Sequence, residues 1–213
     1  MPTARSDLLP RDFFDRPAVE VAPELLGHQV RHDTADGVVA VRITEVEAYE
    51  GQSDPASHAY RGRSRRNATM HGEPGHVYVY FTYGMHFCMN IVCLPAGTAS
   101  AVLLRAGEVV CGYDLARARR GPKVTDRDLA RGPARLTSAL GIARGEDGLD
   151  GCAPDSSLVL RRASHRSDTA ERTVLTSART GVAQAHEVQW RFYLDGEPTV
   201  SPYRRHVPKR RKT

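Results

Sequence analysis

Glu47 and Tyr49, in the run RITEVEAYEG, are a carboxylate and an aromatic ring two residues apart. In an extended strand alternate side chains point to the same face, so the two stand side by side. A carboxylate beside a ring can activate a water next to a stacked planar substrate. The same spacing also fits an edge strand with Glu45 and Glu47 on its solvated face, and spacing alone favours that plainer reading. Other chemistries have less support. The chain has neither G-x-S-x-G nor G-x-x-x-x-G-K-[ST]. Of its three lysines, Lys209 and Lys212 fall in a basic tail and Lys123 in an Arg-rich loop, which disfavours a lysine nucleophile. His71, His76 and His86 lie close together but without the spacing of a zinc site, and no metal is expected.

The strand that must carry the pair is GVVAVRITEVEAYEG, one strand or two joined by a bend. Its alternation predicts Ile43, Glu45, Glu47 and Tyr49 on one face and Thr44, Val46 and Ala48 on the other. Upstream, PELLGHQVRH reads as a short helix with Pro23 in its first turn and Gly27 as its stop. Residues 51–76 form a long loop rich in Gly, Ser, Pro, Asn and Arg. The aromatic run YVYFTYGMHFCMN, residues 78–90, follows as two strand-like stretches meeting at Tyr83-Gly84, where glycine can take the positive φ of a tight turn. ASAVLLRAGEVV predicts another strand. A helical, Arg-rich stretch begins near Gly112, and RGPARLTSALGIA predicts a helix with Pro133 in its first turn and Leu136 and Leu140 on one face. SSLVLRR and EVQWRFYLDG predict later strands. The expected fold class is α+β: one domain, a mixed, largely antiparallel curved sheet with short peripheral helices and a protruding β-hairpin. Strands and helices do not alternate regularly, which disfavours a doubly wound parallel sheet.

The 213 residues suit one domain over residues 1–203 and a basic tail over 204–213. The formal net charge is +5, yet residues 203–213 alone carry six of the 30 basic residues and no acid. The remainder holds 24 basic against 25 acidic residues, a balance of −1. Further basic clusters are RGRSRRN, with Arg61, Arg63, Arg65 and Arg66, and ARARRGPK, near Arg117 to Lys123. Concentrated basic charge is the footprint of phosphate contact, though tails are also basic for solubility alone. The four cysteines form no C-x-x-C pair and predict reduced, mostly buried thiols. No stretch approaches the roughly 20 apolar residues of a membrane span, and the N-terminus lacks an apolar signal core. A cytoplasmic, DNA-associated location is expected.

Taken in order, RITEVEAYEGQSDPASHAYRGRSRRNATM, PGHVYVYFTYGMHFCMN, AVLLRA, RGPARLTSALGI and WRFYLDGEPTVS resemble the alkyladenine (3-methyladenine or 3-methylpurine) DNA glycosylase family from about residue 8 to residue 201. The resemblance implies an enzyme that works in the minor groove of double-stranded DNA and rotates a damaged purine out of the duplex. It implies that Tyr83, at a hairpin tip, fills the vacated space. It makes Tyr49, His58 and Tyr80 the walls of the base pocket and Asn90 the residue that obstructs guanine's 2-amino group. Glu47 becomes the base that activates water, and Arg105 helps hold carboxylate and water. SHAYRG, just after His58, departs from the family's usual pattern and leaves the shape of that wall open. Attack by water implies monofunctional hydrolysis that leaves an abasic site, with no cofactor. Arg61, Arg63, Arg65 and Arg66 are expected to grip DNA phosphates, and one wedge on one base needs only a monomer. Two alternatives stay open: a non-catalytic lesion- or RNA-binding module on the same scaffold, and an enzyme acting on free nucleosides.

Overall fold

The computed structural model describes residues 7–82, 84–163 and 173–205. Its centre is a curved sheet ordered β3-β4-β5-β2-β1-β6, with β8 also on β2 and β7 on β8, and every strand pair among the described residues is antiparallel. The strands are β1 (Gln29–Thr34), β2 (Gly37–Tyr49), β3 (Val77–Thr82), β4 (His86–Cys93), β5 (Ser100–Cys111), β6 (Leu158–Arg161), β7 (Val174–Ser177) and β8 (Arg191–Leu194). Among the described residues four short α-helices flank it: α1 (Arg11–Phe14), α2 (Ala18–Leu25), α3 (Tyr113–Arg120) and α4 (Pro133–Leu140).

The alternation of the strands divides the sheet into two chemical faces. Val77 and Val79 of β3, Met89, Ile91 and Cys93 of β4, and Val102 and Leu104 of β5 join one apolar core. Val21 and Leu25 of α2 and Leu136 and Leu140 of α4 complete it. The intervening residues, Tyr78 and Tyr80, Cys88 and Asn90, Leu103 and Arg105, point to the opposite face. Register aligns them: Tyr78 stands opposite Asn90, Asn90 opposite Leu103, Leu103 opposite Glu47, and Glu47 opposite Arg191. One row of side chains thus crosses five strands.

Strand β2 departs from simple alternation. Ile43 pairs with Gly107 and Glu45 with Ala106, so two residues of β2 advance against one of β5. This β-bulge shifts the alternation by one. Ile43 is consequently packed with Val46 and Ala48 in the core, not beside Glu45 and Glu47 as expected from the sequence. The bulge also marks where the other edge of β2 passes from β1 (partners of residues 37–42) to β8 (partners of residues 45–47). Glu45 and Glu47 are therefore enclosed in the interior of the sheet, fully buried, instead of solvated on an edge.

The N-terminal expectation also changes. Ala18, Val21, Ala22 and Leu25 form the buried stripe, so α2 starts five residues before Pro23, which sits inside its last turns. Gln29, Val30 and Arg31 belong to β1, because Val30 is paired with β2 on one edge and β6 on the other. Of the four thiols only Cys88 and Cys93 are buried; Cys111 is exposed and Cys152 half-buried. The predicted hairpin is β3 and β4, paired as far as Thr82 and His86. Gly84 in its turn has φ +70°, and Phe81 and Met85 are exposed around it. Tyr83 lies outside the described residues.

Gly107 permits the close approach of β5 to β2 at the bulge. A Cβ there would stand 2.3 Å from the Arg42 carbonyl oxygen and 2.3 Å from Val41 Cγ1. Gly107→Ala is expected to cost about 1–3 kcal/mol of folding stability by forcing the strands apart. Urea unfolding checks this, and an unchanged midpoint would show that β2 yields freely.

Candidate active site

Glu47 comes from β2 and Arg105 from β5, and register brings them to one face. Arg105 Nη1 is 3.2 Å from Glu47 Oε1. The same guanidinium donates through Nε to Glu45 Oε1 at 2.7 Å, so one buried cation spans two buried carboxylates. Glu47 accepts two further hydrogen bonds: the Tyr49 hydroxyl donates to Oε2 at 2.8 Å and the Thr180 backbone N–H to Oε1 at 2.6 Å. Burial, then the neighbouring Glu47 charge, raises the Tyr49 hydroxyl well above its ordinary value, so it stays a neutral donor. Arg105 is held above its ordinary value: burial opposes its charge, but Glu47 and Glu45 outweigh burial.

Behind this pair Glu45 is saturated with partners. Arg191 Nε donates to it at 2.7 Å, the Ser201 N–H at 2.7 Å and the Ser201 hydroxyl at 2.9 Å. Tyr49 is backed by Arg179, whose guanidinium lies 4.7 Å from the Tyr49 ring centroid and 5.2 Å from that of Trp190. Arg179 is buried, pairs with Asp54 and donates to the Ala48 carbonyl at 2.9 Å.

The opposite wall is aromatic. Tyr78 and Tyr80, two apart on β3, stack with centroids 5.6 Å apart. The His58 ring stands edge-on to Tyr80 at 4.4 Å, and its Nδ1 is 3.1 Å from the Tyr78 hydroxyl. This enclosure, then the charge of Arg66, lowers the His58 imidazole below its ordinary value. Asn67 pins the loop that carries His58 by donating to the carbonyls of His58 and Gly62, each at 3.0 Å. Asn90 is buried and donates to the Tyr78 carbonyl at 3.3 Å.

All six residues expected to form the centre, Glu47, Tyr49, His58, Tyr80, Asn90 and Arg105, line one cavity of about 630 Å³. That volume falls within the range of about 300–1,000 Å³ typical of small-ligand sites. A model described as methylpurine-DNA glycosylase (MPG) matches residues 12–198. The chain belongs to the methylpurine-DNA glycosylase family. Relatives from Streptomyces avermitilis (54% identical over 206 residues, 96% of each chain) and Leifsonia xyli (54% over 201 residues, 92% of each chain) carry the provisional name 3-methyladenine DNA glycosylase. So does a relative from Frankia casuarinae, 50% identical over 196 residues, 89% of this chain and 90% of its own.

For a member of the methylpurine-DNA glycosylase family, the basic residues are distributed unevenly about the cavity. Arg61, Arg63, Arg65 and Arg66 are exposed on the loop after His58, and none lines the cavity. Arg204 and Arg205 line its rim, and the rest of the basic tail lies outside the described residues. Among the described residues no group of three or more His, Cys, Asp or Glu converges on a metal-binding arrangement, and no helix is long and apolar enough to cross a membrane.

Sequence reading missed Thr180, Arg179 and Asp54, because their contacts with β2 and with one another span 125 residues or more. Glu45 was visible beside Glu47, but nothing local announced that it would hold Arg105. Cys88, which contacts the Tyr80 hydroxyl inside the cavity, was read only as a buried thiol.

The buried charges make acid sensitivity predictable. Burial pushes Glu45 up, but the charges of Arg105 and Arg191 and their hydrogen bonds outweigh it, leaving the group below its ordinary value. Its stabilising contribution is therefore complete above the unfolded value of about 4.3 and is lost as pH falls toward the folded one. Glu45→Gln should cost about 3–5 kcal/mol at pH 7, because two arginines lose a buried partner. The variant should also lose less stability than the parent between pH 5 and about pH 3. Thermal unfolding across that range decides it, and equal losses would assign the acid sensitivity to other carboxylates.

Proposed function

We propose that the protein is a monofunctional base-excision glycosylase that flips an alkylated or deaminated purine out of duplex DNA and hydrolyses its N-glycosidic bond. The single observation that carries this reading is the carboxylate of Glu47. It stands in the wall of an aromatic-lined cavity, held by Arg105, the Tyr49 hydroxyl and the Thr180 N–H.

The purine inserts among Tyr49, His58 and Tyr80. Electron-poor alkylated purines, some formally cationic, stack favourably on such rings. Asn90, fixed at the cavity wall, obstructs the 2-amino group of normal guanine. With the base so placed, the sugar carbon faces Glu47. The carboxylate takes a proton from water as the water oxygen bonds to the anomeric carbon. The carbon–nitrogen bond breaks, and its electron pair leaves with the base. Positive charge grows on the sugar in the transition state, and the fixed carboxylate stabilises it. Water as nucleophile leaves an abasic sugar in an intact strand. The reaction needs no cofactor.

Flipping is required because the bond is unreachable within the stack. The hairpin of β3 and β4 offers Tyr83 as the ring that fills the gap, with Gly84 supplying the turn. A monomer suffices for one lesion. Residues 1–203 form the catalytic domain, and the tail from residue 204 adds affinity for DNA. The reading places the protein in the cytoplasm, associated with DNA.

The test is release of free base from duplexes holding a single hypoxanthine, 1,N6-ethenoadenine or 3-methyladenine, set beside the free nucleosides. Base release from duplex alone is expected. Glu47→Gln should slow single-turnover release at least about 100-fold while retaining lesion binding. Release at near the parental rate would remove Glu47 from its role. Binding without release by the parent would favour the lesion-binding module, and release from nucleosides would favour a nucleosidase.

A further inference from the structure

Two segments that lie apart in the sequence meet at the cavity. Thr180, Gly181, Val182 and Ala183, from the connection between β7 and β8, line it together with Arg204 and Arg205, which follow β8. The segments touch through their main chains: the Gly181 N–H donates to the Arg204 carbonyl at 3.0 Å. One residue earlier, the Thr180 N–H donates to Glu47 Oε1 at 2.6 Å. Among the described residues, the main chain of 180–184 makes these two hydrogen bonds and no other. Residues 178–190 belong to no strand or helix, so no ladder holds Thr180 in place.

The segment after β8 is fixed more firmly. The Ser201 N–H donates to Glu45 Oε2 at 2.7 Å, and the Ser201 carbonyl accepts from Arg191 Nη2 at 2.7 Å. Arg131 Nε donates to the Val200 carbonyl at 2.8 Å. The chain from Val200 to Arg204 thus runs from the buried anchor Glu45 to the loop that meets Glu47. Gly181 has φ +73°, and a Cβ there would find no atom within 4 Å, so the turn itself, and no crowding, calls for glycine.

We propose that the main chain of residues 201–204 is a strap that positions Glu47. The Arg204 carbonyl holds Gly181, and Gly181 holds the Thr180 N–H on the carboxylate. The proposal rests on the base-excision reading and moves its domain boundary, because the working site then extends past residue 203 to Arg204. Arg204 is a positioning residue that acts through its carbonyl and not through its charge. A donor fixed on Glu47 Oε1 sets which way the carboxylate faces the water, and a loosened loop lets it turn away.

The experiment measures single-turnover release of hypoxanthine from a duplex at increasing protein concentration. This separates the rate ceiling from the concentration that gives half of it. A chain ended after Arg205 keeps the strap. A chain ended after Tyr203 lacks the Arg204 carbonyl, and its ceiling should fall about tenfold below that of the longer truncation. Arg204→Gln with Arg205→Gln keeps the carbonyl and removes the charge, so it should act mainly on the half-maximal concentration. Gly181→Ala strains the turn from the loop side with the whole tail present, and should lower the ceiling without moving the half-maximal concentration. Thermal unfolding verifies that each protein stays folded, and Gly181→Ala carries the test if the shorter truncation does not.

The shorter truncation is repeated in Glu47→Gln protein. Because the strap acts through the carboxylate, the loss there should be much smaller than tenfold. Equal ceilings for the two truncations, or an unchanged ceiling for Gly181→Ala, overturn the proposal. So does the same fold-loss with and without the carboxylate. Absence of base release from the full chain would instead sink the excision reading, so the two failures are separable.

Discussion

One guanidinium between two carboxylates organises the centre of this molecule. Arg105 is buried with Glu45 on one side and Glu47 on the other. Taking such charges out of water is expensive unless each is paired and its remaining polar atoms are satisfied. Much of the surrounding structure meets that demand. Arg191 and Ser201 complete Glu45, while Tyr49 and the Thr180 N–H complete Glu47. These partners come from β2, β5, β8, the segment before β8 and the segment after it. The charge array therefore ties together, on one face of the sheet, the strands whose opposite face shares the apolar core.

The two carboxylates differ in what surrounds them. Glu45 is closed in by two arginines and a serine, and serves as an anchor. Glu47 is equally buried by area, yet it lines the cavity. A carboxylate held rigidly at the wall of a water-accessible space is the form that proton transfer requires. Tyr49 joins the two functions. Its hydroxyl fixes Glu47, and its ring offers a flat surface whose place is set by Arg179 behind it. In the function proposed, the group that positions the water and the group that positions the base are one side chain.

Charge is distributed with the same division of labour. The core of the site is close to neutral, with paired acids and arginines. Positive charge in excess of acid lies on the exposed loop after His58 and in a neighbouring cleft lined by Arg120, Lys123, Arg127, Arg131 and Arg135 with the single acid Asp128. In the function proposed, a neutral, preorganised centre beside positive surroundings lets a polyanion approach without drawing phosphates into the base pocket.

The sequence by itself determined the family, through ordered motifs, and the antiparallel α+β character, through alternating apolar runs bounded by glycine and proline. The family resemblance also pointed to the six cavity residues, and period-two alternation on β3, β4 and the first half of β5 is what puts Tyr80, Asn90, Leu103 and Arg105 on one face. Only the tertiary structure decided how β2 is turned. The bulge at Ile43–Glu45 reverses the alternation, and its cause lies in pairing with β5 and in the steric allowance at Gly107. Only the tertiary structure, likewise, converted Glu45 from a plausible surface acid into the anchor of Arg105 and brought Arg179 and Thr180 to the site. Local sequence encodes which face a side chain takes within an unbroken stretch of strand. Which distant strand supplies its partner is set by long-range packing, where burial makes an unpaired charge too costly to leave.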